Sequence, residues 1–162
     1  IRPPPISKLF PYTTLFRSTD GGATWKPSVT PAIGTVLRMK VQAGLSATLL
    51  DYGEGFVCSS EVYLSDYKNG KNQSLFRRKA LRVTDFLFHG AKGYLLSVIE
   101  PFGTLPGAGL PGRLRILYSP DGNQWFQTPV DYRAQGQGAI LSAAGHRCFA
   151  VLVNGIILRL AS

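Results

Sequence analysis

Ser119-Pro120-Asp121-Gly122-Asn123-Gln124-Trp125 separates two strand-like runs: Arg113-Leu114-Arg115-Ile116-Leu117-Tyr118 lies before it, and Trp125-Phe126-Gln127-Thr128 opens the one after it. Far upstream, Ser18-Thr19-Asp20-Gly21-Gly22-Ala23-Thr24-Trp25 has the same order of residue types with one residue more. The chemistry accounts for those types. An Asp carboxylate and a Ser hydroxyl accept hydrogen bonds from turn amides. Glycine supplies the positive φ of a tight hairpin. Tryptophan is a large apolar plate that can cover the hairpin.

Working outward from these two hairpins exposes a repeat. Their serines stand 101 residues apart (119 − 18), about two units of fifty. A degenerate copy is expected midway, and Val62-Tyr63-Leu64-Ser65-Asp66-Tyr67-Lys68-Asn69-Gly70 occupies that place without a tryptophan. In that copy Ser74-Leu75-Phe76 is expected to open the final strand. The ending Ile156-Ile157-Leu158-Arg159-Leu160-Ala161-Ser162 resembles the strand that enters the Ser119 hairpin. Periods of 40 to 50 residues are typical of propeller blades. Each unit divides into four short strands. The first full unit reads as residues 36–41, 47–52, 55–64 and 74–79. The second reads as 84–89, 94–99, 113–118 and a strand opened by Trp125. The last gives 139–144 and 147–153, then 156–161 after Asn154-Gly155, a two-residue hairpin signal. No helix is expected.

The two hairpin segments resemble the Asp box, or BNR repeat, of sialidases and several other β-propellers. The resemblance rests on Ser18, Asp20, Gly22 and Trp25 and on Ser119, Asp121, Gly122 and Trp125. It implies an all-β fold, a partial propeller of four-stranded antiparallel blades. Residues 19–162 would hold the outer strand of one blade, two full blades and three strands of another. In that family the boxes are structural hairpin staples away from the ligand-binding face, so Asp20 and Asp121 are not expected to be catalytic acids. The first box overlaps another resemblance: residues 9–18 match the one-frame translation of a sequencing-library adapter. Residues 1–18 are therefore expected to be non-native, and any pairing of that segment to be accidental.

Composition narrows the function classes. With 44% hydrophobic and 17% charged residues, disorder is not expected. The 18 glycines and 11 prolines suit many turns. No run of about 18 uncharged apolar residues reads as a membrane span. The formal charge of +9 is scattered, densest at Arg77-Arg78-Lys79 and Arg82, and reads as a solvated strand edge rather than a specific nucleic-acid signal. Cys58 and Cys148 lie in apolar runs and read as buried free thiols. His89 and His146 stand alone. No metal-ligand cluster and no cofactor motif is legible.

Three functions compete. The first is a non-catalytic propeller with a binding or assembly role, as in Asp-box proteins similar to photosystem assembly factors, with a carbohydrate or a protein as partner. The second is a piece of a secreted sialidase-like glycoside hydrolase; the resemblance favours an extracytoplasmic location. The third is a basic propeller that binds a polyanion. A sialidase-like enzyme would need an arginine cluster, an Asp acid/base and a Tyr/Glu pair, and no such pattern is legible. Its family's Arg-Ile-Pro motif is absent, and Arg113-Leu114-Arg115 does not replace it. Other glycosidases need two carboxylates at fixed separation; Asp51, Glu54, Asp85, Glu100 and Asp131 are the loose candidates. Catalysis by this chain is thus not expected. The insertion at residues 101–112, apolar and rich in Gly and Pro, reads as a connector or as a loop that docks a partner or a sugar.

Overall fold

The computed structural model describes residues 15–18, 20–28, 34–53, 56–66, 68–101, 112–132, 138–145 and 147–160. These residues form strands and turns, and no helix occurs among them. A short hairpin pairs β1 (Leu15–Arg17) with β2 (Lys26–Ser28). Sheet I is an antiparallel meander of β3 (Thr35–Gln42), β4 (Leu45–Asp51), β5 (Ser60–Asp66) and β6 (Lys71–Phe76). Sheet II repeats the meander with β7 (Arg82–His89), β8 (Gly93–Pro101), β9 (Gly112–Ser119) and β10 (Phe126–Tyr132). Sheet III holds β11 (Ala139–Ala144), β12 (Arg147–Leu152) and β13 (Ile157–Leu160).

Side-chain alternation explains how the sheets stack. Strand β8 is buried along Tyr94-Leu95-Leu96-Ser97-Val98-Ile99, and successive residues of a strand point to opposite faces. Tyr94, Leu96 and Val98 join Ala47, Leu49, Val62, Leu64 and Phe76 in one core, between sheets I and II. Leu95 and Ile99 join Leu141, Cys148, Ala150 and Leu152 in a second core, between sheets II and III. Sheet II is therefore covered on both faces. At about 1.5–3 kcal/mol for each large apolar side chain buried, this doubly covered strand is a main source of cohesion.

The repeat extends to irregularities. The β3–β4 ladder shifts register between Val36 and Arg38, and the β7–β8 ladder between Val83 and Asp85, 47 residues later (83 − 36). Such bulges re-aim the side chains that follow them, and they set Arg38 and Asp85 at equivalent positions. The β3–β4 turn is two residues long with both at positive φ, Ala43 at 50° and Gly44 at 86°, which matches the twist of the flanking strands.

Several expectations need correction. Phe56-Val57-Cys58 does not begin the third strand of sheet I; residues 56–59 bend, and β5 starts at Ser60. The amide of Tyr52 donates to the Ser59 carbonyl at 2.8 Å and closes that loop. Ser74-Leu75-Phe76 ends β6 rather than opening it. Asn154-Gly155 is not a two-residue loop. Gly155 N–H donates to the Leu152 carbonyl at 3.0 Å and Gly155 alone has φ of 84°, which is the three-residue form with its glycine in the left-handed region. Cys58 is half-buried rather than buried, whereas Cys148 is buried. Within the adapter-like string, Leu15–Arg17 forms β1; residues 9–14, most of the 101–112 insertion and His146 lie outside the described residues.

Candidate functional site

In each meander the third-to-fourth strand hairpins leave at one end of the sheet, and the β4–β5 and β6–β7 connections leave at the other. The Ser119 segment occupies such a hairpin, between β9 and β10, whereas the Ser18 segment occupies the separate β1–β2 hairpin. Ser119 Oγ accepts the Gly122 amide at 2.8 Å, and Asp121 Oδ1 accepts the amides of Asn123 and Gln124 at 2.8 and 3.1 Å. Gly122 has φ of 83°. The extra residue of the first segment moves these bonds one position on: Ser18 Oγ accepts the Gly22 amide at 2.8 Å and Asp20 Oδ1 the Thr24 amide at 2.9 Å. The Thr24 hydroxyl and amide, with Ser18, hold the Asp20 carboxyl down at about 2. Asp121 is likewise lowered, chiefly by the amides of Asn123 and Gln124.

The midway turn keeps part of this chemistry. Asp66 Oδ1 accepts the amides of Lys68 and Asn69 at 2.9 and 3.2 Å, the same two offsets as at Asp121. The Asn69 side chain adds a bond and is the main cause of the lowered Asp66 carboxyl. The two tryptophans differ. Trp125 packs on Phe76 of sheet I, ring centroids 5.1 Å apart, and on Tyr94 at 6.5 Å. Trp25 is 62% exposed and its Nε1 donates to the Gly22 carbonyl at 3.0 Å.

The opposite end of sheet I gathers the reactive side chains. The Tyr52 hydroxyl, just past β4, donates to Glu61 on β5. Arg77, just past β6, approaches the same Glu61 oxygen at 3.8 Å and lies 5.5 Å over the Tyr52 ring; the Cys58 side chain is the main cause that raises its guanidinium. Burial and then the Glu61 contact push the Tyr52 phenol well above its usual value. Beside them Arg82 pairs with Asp51 at 2.9 Å. The cluster can hold a proton between Tyr52 and Glu61 and presents one guanidinium edge beside an aromatic face.

Between the sheets, buried side chains serve backbone amides. Ser60 Oγ accepts the Val83 amide at 2.8 Å, Ser97 Oγ the Ala139 amide at 3.2 Å, and Asp85 Oδ2 the Leu141 amide at 2.7 Å. Asp85 is fully buried; its other oxygen lies 3.4 Å from Arg38 Nε and 3.3 Å from Lys40 Nζ. One carboxylate thus touches all three sheets.

Of the loose carboxylates, Asp51 pairs with Arg82, Asp85 ties the sheets together, and Glu100 pairs with Arg115. Glu54 and the Asp131 side chain lie outside the described residues. Sequence reasoning missed the Tyr52–Glu61–Arg77 cluster, whose members are distant along the chain. It also missed that His89 Nδ1 meets Cys148 Sγ at 3.3 Å; burial raises that thiol. Among the described residues no group of three or more His, Cys, Asp or Glu side chains could hold a metal ion. Nor, among the described residues, is any helix long and apolar enough to cross a membrane. Family models, curated proteins and solved structures contain no match to this chain.

Proposed function

We propose that the chain is part of an Asp-box β-propeller with a non-catalytic binding or assembly role. The observation that carries the reading is the shared hydrogen bonding of the two Ser-x-Asp turns. Each closes a hairpin, β1–β2 and β9–β10, and Asp66 serves the corresponding β5–β6 turn of the sheet between them in sequence. The successive face-to-face packing of sheets I, II and III supports the ring arrangement. Three of the five loose carboxylates, Asp51, Asp85 and Glu100, are engaged with cations or amides, which supports a binding role over catalysis. The surface for a carbohydrate or protein partner lies at the end opposite the box turns. Binding screens on arrayed glycans and on immobilised proteins test this, with Arg77→Ala as the probe. Retention of every detected ligand by that variant would remove this end from the function.

One observation favours a second reading. Tyr52 and Glu61 bring together the phenol and carboxylate of the Tyr/Glu pair a sialidase-like hydrolase requires, with one of its arginines in Arg77. The raised Tyr52 phenol weighs against it as a nucleophile at neutral pH. Turnover of fluorogenic sialosides or β-glucosides by the purified chain, abolished by Tyr52→Phe or Glu61→Gln, would put the hydrolase first. Absence of turnover is the expected result.

A further inference from the structure

We propose that the β4–β5 loop and the β6–β7 connection, which flank the Tyr52–Glu61–Arg77 cluster where a carbohydrate or protein partner is tested, dock on an anionic lipid surface. The β4–β5 loop carries Phe56 and Val57 side by side, 53% and 73% exposed. The Tyr52–Ser59 backbone bond closes the loop behind them, and the Tyr52 ring stands 6.1 Å from that of Phe56. Directly alongside is the β6–β7 connection with Arg77, Arg78 and Lys79, joined to the loop through the Arg77–Tyr52 stack. Arg77 and Arg82 are met by Glu61 and Asp51. Arg78, stacked at 5.2 Å on Phe76, and the exposed Lys79 have no carboxylate partner among the described residues.

Adjacent projecting apolar groups flanked by cations supply the two contributions, buried apolar area and attraction to anionic lipid, that hold a peripheral protein on an anionic bilayer. A folded protein partner would need a fitted cavity for each apolar group, whereas an acyl boundary needs none. Each cation near such a surface strengthens partitioning about fivefold, and salt weakens that part within a Debye length.

The test is co-sedimentation of the purified chain with vesicles of phosphatidylcholine alone or mixed with phosphatidylserine. Binding is expected only to the mixed vesicles, and it should weaken with added salt. Arg78→Gln and Lys79→Gln should each lower it about fivefold, and Phe56→Ser with Val57→Ser by more than about tenfold. All four side chains are exposed, and far-ultraviolet circular dichroism checks that the variants keep their strands. Absence of binding to mixed vesicles overturns the proposal. So does binding that the Phe56/Val57 pair does not affect, because that is plain adsorption of a chain of charge +9. Polyglutamate that binds the chain through the same four residues while vesicles do not would assign the surface to an acidic polypeptide instead.

Discussion

Asp85→Ala should be the most damaging single change in the chain. The carboxylate is fully buried, accepts the Leu141 amide at 2.7 Å and faces Arg38 and Lys40 at 3.4 and 3.3 Å. Truncation leaves the Leu141 N–H without its acceptor inside the second core, worth about 1–3 kcal/mol. It also leaves two cations beside a cavity, and breaking a buried charged pair costs about 3–5 kcal/mol in all. Arg38 and Lys40 are 42% and 28% exposed and can recover some hydration, so the lower half of that range is expected. Asp85→Asn keeps an oxygen for Leu141 but loses the pairing with Arg38 and Lys40, at a cost of about 1–3 kcal/mol and below that of alanine. Urea unfolding followed by circular dichroism measures both, provided the slope of the transition is unchanged. Hydrogen exchange at Leu141 separates them: protection should fall in the alanine variant and persist in the asparagine variant. A loss below about 1 kcal/mol for Asp85→Ala, or unchanged Leu141 exchange, would refute the role of Asp85 as the tie between sheets.

Other outcomes are equally specific. The Asp20 carboxyl carbon should titrate near 2 by NMR. Because its folded value lies below the ordinary 3.8, the turn's stabilising effect is complete above 3.8 and disappears as pH falls through about 2; a midpoint at 3.8 would remove the Thr24 contact. Trp125→Ala should cost about 2–4 kcal/mol through its lost packing on Phe76 and Tyr94, while Trp25→Ala should stay within about 0.5 kcal/mol; equal urea midpoints for the two would contradict the packing. Ala43 sits at φ of 50°, so Ala43→Asn should raise the urea midpoint by the equivalent of about 1 kcal/mol.

The sequence made the meanders legible because their signals are local. The apolar run through Tyr94–Ile99 and the glycine in each Ser-x-Asp segment act within a few residues. The start of β5 was misread because Phe56-Val57-Cys58 has strong strand propensity, while a single loop-closing bond from Tyr52 overrides it. The reactive cluster was illegible for a different reason. Arg77 reaches Glu61 only through the β5–β6 hairpin, and Asp85 reaches Arg38 only because equivalent bulges precede both residues. Neither bulge is marked by glycine; Leu37 and Thr84 stand at the shifts.

The amide bonds between sheets have a direction. Ser60 serves Val83, Ser97 serves Ala139 and Asp85 serves Leu141, so in each case the acceptor precedes the donor along the chain. A sheet emerging from the ribosome therefore meets a template already synthesised and able to receive its first strand. Among these bonds, loss of an early sheet strands the amides of the next one, whereas loss of a late sheet frees only hydroxyls and a carboxylate, which water solvates readily.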